Sequence, residues 1–258
     1  MTEPVLDVRN LDGGYDGTQV LRGVTLSVRR AEILVVVGRS GCGKSTLLRY
    51  MLGLARPWAG SVYFEGHDIW DDDGRVLNDA RQRWGVLFQS GALLASLTLL
   101  ENVLLPLSEF TPLPSTVLRR TALWKLSLVG LAEFADAYPL EVSGGMQKRA
   151  GLARALALDP DLVFFDEPSA GLDPVTSAEL DALIRSVNHT LGTTMVIVTH
   201  ELPSILAIAD RVIMLDASSQ GIIAEGSPLE LQEPTADPRV LAFFSRTPLA
   251  TGASADVS

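Results

Sequence analysis

The apolar residues of this chain follow three patterns. Val5–Val8 and Val24–Val28 alternate with polar neighbours and predict two half-buried strands joined in a hairpin-like path. Ile33–Val37, Trp84–Phe88, Asp161–Asp166, Thr194–Thr199 and Arg211–Leu215 are short, nearly unbroken runs, as expected of strands covered on both faces. Ser61–Phe64 and Ile222–Ala224 add two shorter strands. Helical spacing marks Thr46–Leu54, Pro174–Leu191 and Glu201–Ala209, and it takes over between Thr98 and Asp159, where strand patterns vanish. Within that interval Val117, Trp124, Leu128 and Leu131 recur at steps of seven, four and three, which predicts one core-facing side of a helix. Strands alternating with helices imply an α/β fold with a mainly parallel sheet. The predicted organisation is a core over residues 1–97 and 160–225, a helical insertion over 98–159 and a C-terminal extension over 226–258.

The intervening segments are polar or broken. Leu11–Thr18, rich in Gly and Asp and carrying Tyr15, reads as a turn. Asp71-Asp72-Asp73-Gly74 is an acidic loop with no further acid at calcium-loop spacing. In the extension, Pro228–Gln232 predicts a short helix and Val240–Phe244 an apolar patch for a partner chain, while Thr247–Ser258 is small, polar and expected to fray.

Composition narrows the classes. Apolar residues are 47% of 258, enough for a sizeable core. Asp and Glu outnumber Lys and Arg, 31 to 21, and a net charge of −10 opposes a general nucleic-acid surface. The lone Cys42 excludes an intramolecular disulfide and suits a reducing compartment. Met1–Asn10 has no apolar stretch of signal-peptide length. The most apolar region, Gly91–Leu107, is interrupted by Glu101-Asn102, whereas a bilayer span needs about twenty apolar residues. Any membrane role is therefore expected to be peripheral.

Chemistry concentrates at three places. Gly38-Arg39-Ser40-Gly41-Cys42-Gly43-Lys44-Ser45-Thr46 fits G-x-x-x-x-G-K-[ST], between a buried strand and a helix. Such a loop aims backbone N–H groups and the positive helix end at a phosphate chain. Lys44 would serve the β- and γ-phosphates of a nucleoside triphosphate, and Ser45 would ligate Mg²⁺. Leu162–Phe165 then runs into Asp166-Glu167, two acids that need a cation or a donor where a core strand ends. In a phosphate-loop ATPase the first would complete the Mg²⁺ shell and the second would polarise the attacking water. Ser143-Gly144-Gly145, with Ser143 as the predicted N-cap, opens the helix that precedes this strand and makes a second anion-binding helix end.

From Val5 to Ala224 the chain resembles the nucleotide-binding subunit of an ATP-binding-cassette (ABC) transporter. The resemblance implies a P-loop NTPase fold with a RecA-like core, an antiparallel β subdomain and an inserted helical subdomain. It also implies that ATP is sandwiched between the phosphate loop of one copy and the Ser-Gly-Gly signature of a second. By matching position, Tyr15 resembles the aromatic that stacks on adenine, and Gln89 the glutamine that touches Mg²⁺ and the attacking water. Ser169-Ala170-Gly171-Leu172-Asp173 resembles the loop joining the two catalytic sites, with Asp173 at the nucleotide, and His200 the histidine that contacts the γ-phosphate. Three positions depart from the usual pattern: Val142 stands where a leucine and Met146 where a glutamine is common, and Ala31 where a glycine is often seen.

Phe88–Leu93, Ser143–Met146 followed by Lys148-Arg149-Ala150, and Thr199–Leu202 further resemble the ATPases of Mla/Mce-type lipid-transport systems. That likeness implies work at the cytoplasmic face of the inner membrane. It also implies a polytopic permease, a small STAS-domain partner, a periplasmic lipid-binding Mce-type subunit and phospholipid cargo. Ala92–Leu100 is either a groove for a permease helix or part of the buried helical insertion. The rivals are an ABC ATPase of another importer or exporter, and one acting on nucleic acid or ribosomes. Against the latter, the interval from Gln89 to Ser143 is too short for a long coiled coil, and one cassette is present where translation types carry two. A small-molecule kinase would leave Ser143-Gly144-Gly145 and His200 without a role.

Overall fold

The computed structural model describes residues 3–71, 74–233 and 237–246. Asp72 and Asp73 of the acidic loop, and the tail at 247–258, lie outside the described residues. Strand β1 (Leu6–Tyr15) pairs antiparallel with β2 (Thr18–Val28) and β4 (Ala59–Phe64), and β4 with the short β5 (His67–Asp68). The expected turn at 11–18 is mostly strand. Only Asp16 and Gly17, at φ 50° and 76°, make the reversal between Tyr15 and Thr18. Register shifts between Val8 and Gly14 break the alternation, which is why the sequence pattern there reads as loop.

The second sheet has the order β10-β9-β3-β8-β7-β6. It comprises β3 (Ile33–Val37), β6 (Trp84–Leu87), β7 (Leu162–Asp166), β8 (Thr194–Val198), β9 (Arg211–Asp216) and β10 (Gly221–Gly226). Five of these strands are parallel, and β10 joins the edge antiparallel to β9. Every residue of β3 is buried, because the strand feeds two cores. Ile33, Val35 and Val37 face the larger helical layer, and Leu34 and Val36 face the helix α1 (Lys44–Met51) and the antiparallel sheet. Strand β7 divides likewise, with Val163 and Phe165 on one side and Leu162 and Phe164 on the other.

Helix α2 (Arg75–Gln82) has no counterpart in the sequence reading. It is polar apart from a narrow face at Leu77 and Ala80. The insertion consists of α3 (Leu99–Phe110), α4 (Ser115–Leu128) and α5 (Gly144–Ala155). A capping box between Thr98 and Glu101 starts α3, and Pro106 is accommodated inside it. Of the face expected of α4, Leu131 just beyond the helix is buried and Val117 and Leu128 are half-buried, but Trp124 points outward. Leu118, Ala122 and Leu126 are buried at four-residue spacing, whereas Trp124 is 47% exposed. Trp124 lies over the Lys125 stem, 4.5 Å from the ammonium, and Lys125 itself is fully buried with its ammonium 2.5 Å from Asp159. A buried lysine under an outward tryptophan inverts the hydrophobic code at these two positions.

Helices α6 (Pro174–Leu191) and α7 (Leu202–Ile208) complete the layer over β7 and β8. In the extension, α8 (Pro238–Ser245) turns Val240 and Phe244 into the chain's own core, with Phe243 packed against it. The patch expected to meet a partner chain is therefore used within the molecule. No helix among the described residues is long and apolar enough to cross a membrane.

Candidate functional site

Strand β3 delivers the chain at Gly38, whose φ of 149° and close neighbours admit no side chain; a Cβ there would lie 2.4 Å from the Leu215 carbonyl oxygen. The loop ends on Gly43, the left-handed N-cap of α1 at φ 103°, pressed against Leu21 of β2. Arg39, Ser40, Gly41 and Ser45 are exposed and Thr46 is half-buried. Lys44 is buried, and its Nζ donates to the carbonyls of Gly38 at 2.8 Å and Arg39 at 3.3 Å, which holds the ammonium inside the loop. Cys42 is buried against Gly38, and burial pushes its thiol up, so it is a packing residue of the loop.

Across from this loop, β7 ends at Asp166. Burial raises the Asp166 carboxyl above the usual range and the charge of Glu167 adds to that, while Lys44 and Lys148 oppose it. Glu167 has a φ of 48°, a left-handed conformation that costs a non-glycine residue roughly 1 kcal/mol or more. Its N–H donates to the Val198 carbonyl at 2.8 Å. One carboxylate oxygen, Oε1, lies 2.8 Å from His200 Nδ1. The other, Oε2, is buried with no protein partner. His200 thus meets the Glu167 carboxylate at the end of β8, and its outer face is open to solvent. A carboxylate oriented on one side and free on the other can take a proton from a water.

Gln89 follows β6 and is exposed. Its carbonyl accepts a hydrogen bond from Lys148 Nζ on α5. At the start of α5 the Ser143 hydroxyl accepts from the Met146 N–H at 3.3 Å, as expected of the N-cap. Ser143 and Gly144 are exposed, and Gly145 is buried against Thr176. Ser143 therefore forms no part of the cluster around Lys44 and Glu167. Asp173 caps α6, accepting from the N–H groups of Val175 and Thr176 at 3.0 and 3.1 Å and from the Thr176 hydroxyl at 2.6 Å. Those bonds hold its carboxyl below the usual range. Its carboxylate caps the helix that follows the loop at 169–173.

Tyr15 sits exposed beside the β1–β2 turn. Tyr50 of α1 fixes that hairpin: its hydroxyl accepts from the Gly14 N–H at 2.9 Å and donates to the Gly14 carbonyl at 3.1 Å. Sequence reading missed Tyr50, Asn102 and Lys148. Asn102, fully buried in α3, accepts from the Leu94 N–H and donates to the carbonyls of Leu94, Leu97 and Thr98, which fixes the loop after Gln89. A polar residue inside an apolar helical stretch was the available signal. Among the described residues no cluster of three or more His, Cys, Asp or Glu could hold a metal by itself. Ser45 at the head of α1 and Asp166 at the end of β7 are the oxygen donors that would hold Mg²⁺ together with phosphate oxygens.

A phosphate loop at the head of α1, facing an acid pair whose glutamate is oriented by a histidine, defines a nucleotide-hydrolysing cassette. The ABC transporter family profile matches residues 21–170, and the chain belongs to that family and hydrolyses ATP. Among curated relatives, the intermembrane phospholipid transport ATP-binding protein MlaF of Haemophilus influenzae is 39% identical over 95% of this chain and 91% of its own length. MlaF of Escherichia coli K12 is 41% identical over 93% of this chain and 88% of its own. The methionine import protein MetN of Brucella abortus is 41% identical over 88% of this chain but only 60% of its own length. Of solved structures, the dimeric ATP-binding cassette MJ0796 bound to ADP and Pi is 31% identical, covering 86% of this chain and 98% of that one at a TM-score of 0.77. CbiO1 from Clostridium perfringens is 27% identical, covering 89% and 91%, at a TM-score of 0.82.

Proposed function

We propose that this chain is the ATP-hydrolysing subunit of a system that moves phospholipid between membranes through a separate polytopic permease. It works as a peripheral protein at the cytoplasmic face of the inner membrane. The observation that carries this reading is coverage: the MlaF relatives align over 88–91% of their own length, whereas MetN has a large part without counterpart here. A methionine-importer reading draws on the same identity and is weaker for that reason. A STAS-domain protein and a periplasmic Mce-type subunit complete the proposed complex.

In the proposed cycle two copies face each other head to tail. Lys44 and the N–H groups of residues 38–46 hold the phosphates, Tyr15 stacks on the base, and Ser45, Asp166 and Gln89 hold Mg²⁺. When bound, that ion neutralises phosphate charge. Glu167, oriented by His200, takes the proton of the attacking water, and His200 would contact the terminal phosphate. Ser143, Gly144 and Gly145 of the second copy offer the helix end of α5 to the same phosphate, and the loop ending at Asp173 lies between the two sites. Only the closed pair presents both phosphate-binding ends, so ATP favours closure by its differential affinity.

The stretch at 92–100 divides between the two readings offered for it. Leu99 and Leu100 are core residues, and Leu94 is exposed. A separate groove of about 520 Å³ is lined by Val86, Leu105, Pro106, Phe110 and Leu158 together with Arg81, Glu109 and Arg154. This groove fits a short permease helix better than the loop itself. Purification of the chain from detergent-solubilised membranes, with mass spectrometry of proteins and lipids, tests the reading. A co-purifying polytopic protein with bound phospholipid is expected. A polytopic partner carrying an amino acid-binding component, or nucleic acid in place of any membrane protein, would overturn it.

A further inference from the structure

Lys148 is one of the few buried charges in this chain, and the proposed cycle leaves it without a task. It lies in the second turn of α5, the helix headed by Ser143, and its ammonium points inward to donate to the Gln89 carbonyl. Lysine stems normally carry the charge out to water, and burying an ammonium costs several kcal/mol unless charge and hydrogen bonds compensate. Compensation comes from Asp166 and Glu167, which favour the charged lysine against the effect of burial. Lys44 of the phosphate loop and Lys148 of the helical insertion thus both favour the charged form of Asp166.

The same helix grips the rest of the loop. Arg154 donates to the Gly91 carbonyl at 3.0 Å and to the Ala92 carbonyl at 2.7 Å. Gly151 allows the approach, since a Cβ there would lie 2.7 Å from Leu87 and 3.1 Å from the Gly91 oxygen. Over two turns α5 is thus fastened to residues 89–92, and Lys148 is the fastening nearest the acids.

We propose that Lys148 is a positioning residue for ATP hydrolysis: it fixes the Gln89 carbonyl to α5, so that the helix presenting Ser143 also sets where Gln89 stands relative to Asp166 and Glu167. This rests on the reading of Gln89, Asp166 and Glu167 as the hydrolytic site.

The test uses the full chain with Lys148→Met, which keeps the stem but removes charge and donor, and Lys148→Arg, which keeps both. Expected results are a loss of about tenfold or more in kcat for the methionine variant, with KM for ATP within about twofold, and recovery of most of that loss by arginine. Thermal midpoints establish that each variant is folded, and Lys148→Gln takes the place of a methionine variant that does not fold. A neutral variant with wild-type kcat, or a folded arginine variant as defective as methionine, would overturn the proposal. Glu167→Gln is measured alongside. Unimpaired turnover in that variant would remove the hydrolytic-site reading itself, while a defect there with normal Lys148→Met turnover would remove only the role of Lys148.

Discussion

Helices α1 and α5 both open on glycine-rich turns able to bind an anion, yet their surroundings differ. The turn before α1 is enclosed, with Gly43 against Leu21, Lys44 held by two loop carbonyls, and Asp166 within electrostatic range. The turn before α5 is open: Ser143 and Gly144 are exposed, and the Ser143 hydroxyl bonds only within its own helix. One end comes with its acids and lysine, and the other is a bare helix terminus with a polar cap. That difference is what the proposed cycle requires of one chain: unequal halves of two separate sites, with the chemistry at one end and the closing contact at the other.

Four substitutions break or sharpen this contrast. The largest effect is expected at Glu167, where Gln should lower kcat by about 10²–10⁴ while nucleotide affinity persists. Steady-state turnover beside equilibrium binding checks this. Next is Lys44→Ala, which removes a charge-assisted phosphate contact and should weaken ATP binding by about 10–100-fold, read by titration calorimetry. Tyr50→Phe strands the Gly14 N–H and C=O and should cost about 1–3 kcal/mol in urea unfolding, without touching the α5 end.

The smallest effect concerns Glu65, remote from both turns. Arg83 and then Arg30 hold its carboxyl down at about 2, against an ordinary value of 4.5. A depressed carboxylate stabilises the fold fully above its unfolded pKa and loses that contribution as pH falls through the folded one. Glu65→Gln should therefore cost about 1–2 kcal/mol at neutral pH after solvent screening, with the gap closing from pH 4.5 toward 2. Denaturant unfolding of both proteins across that range is the measurement.

Much of this was legible because it is periodic or local. The run at Ile33–Val37 is apolar because each side chain meets one core or the other, and the Ser143 cap is set by its own helix. What escaped was fixed by distant partners. Trp124 and Lys125 exchange the burial expected of them because Asp159 and the indole cover the lysine. Phe244 reads as a sticky patch until α8 folds it back onto the core. Ala31, at φ 61°, shows why glycine is usual there, since alanine carries the left-handed strain.

The division of one site between two copies is tested most directly by the mass of the full chain carrying Glu167→Gln, measured by light scattering with and without ATP and Mg²⁺. Nucleotide should shift the mass toward two copies, and adding Ser143→Arg should abolish the shift while nucleotide binding remains. A mass that stays at one copy with nucleotide bound, or pairing that survives Ser143→Arg unchanged, would contradict it.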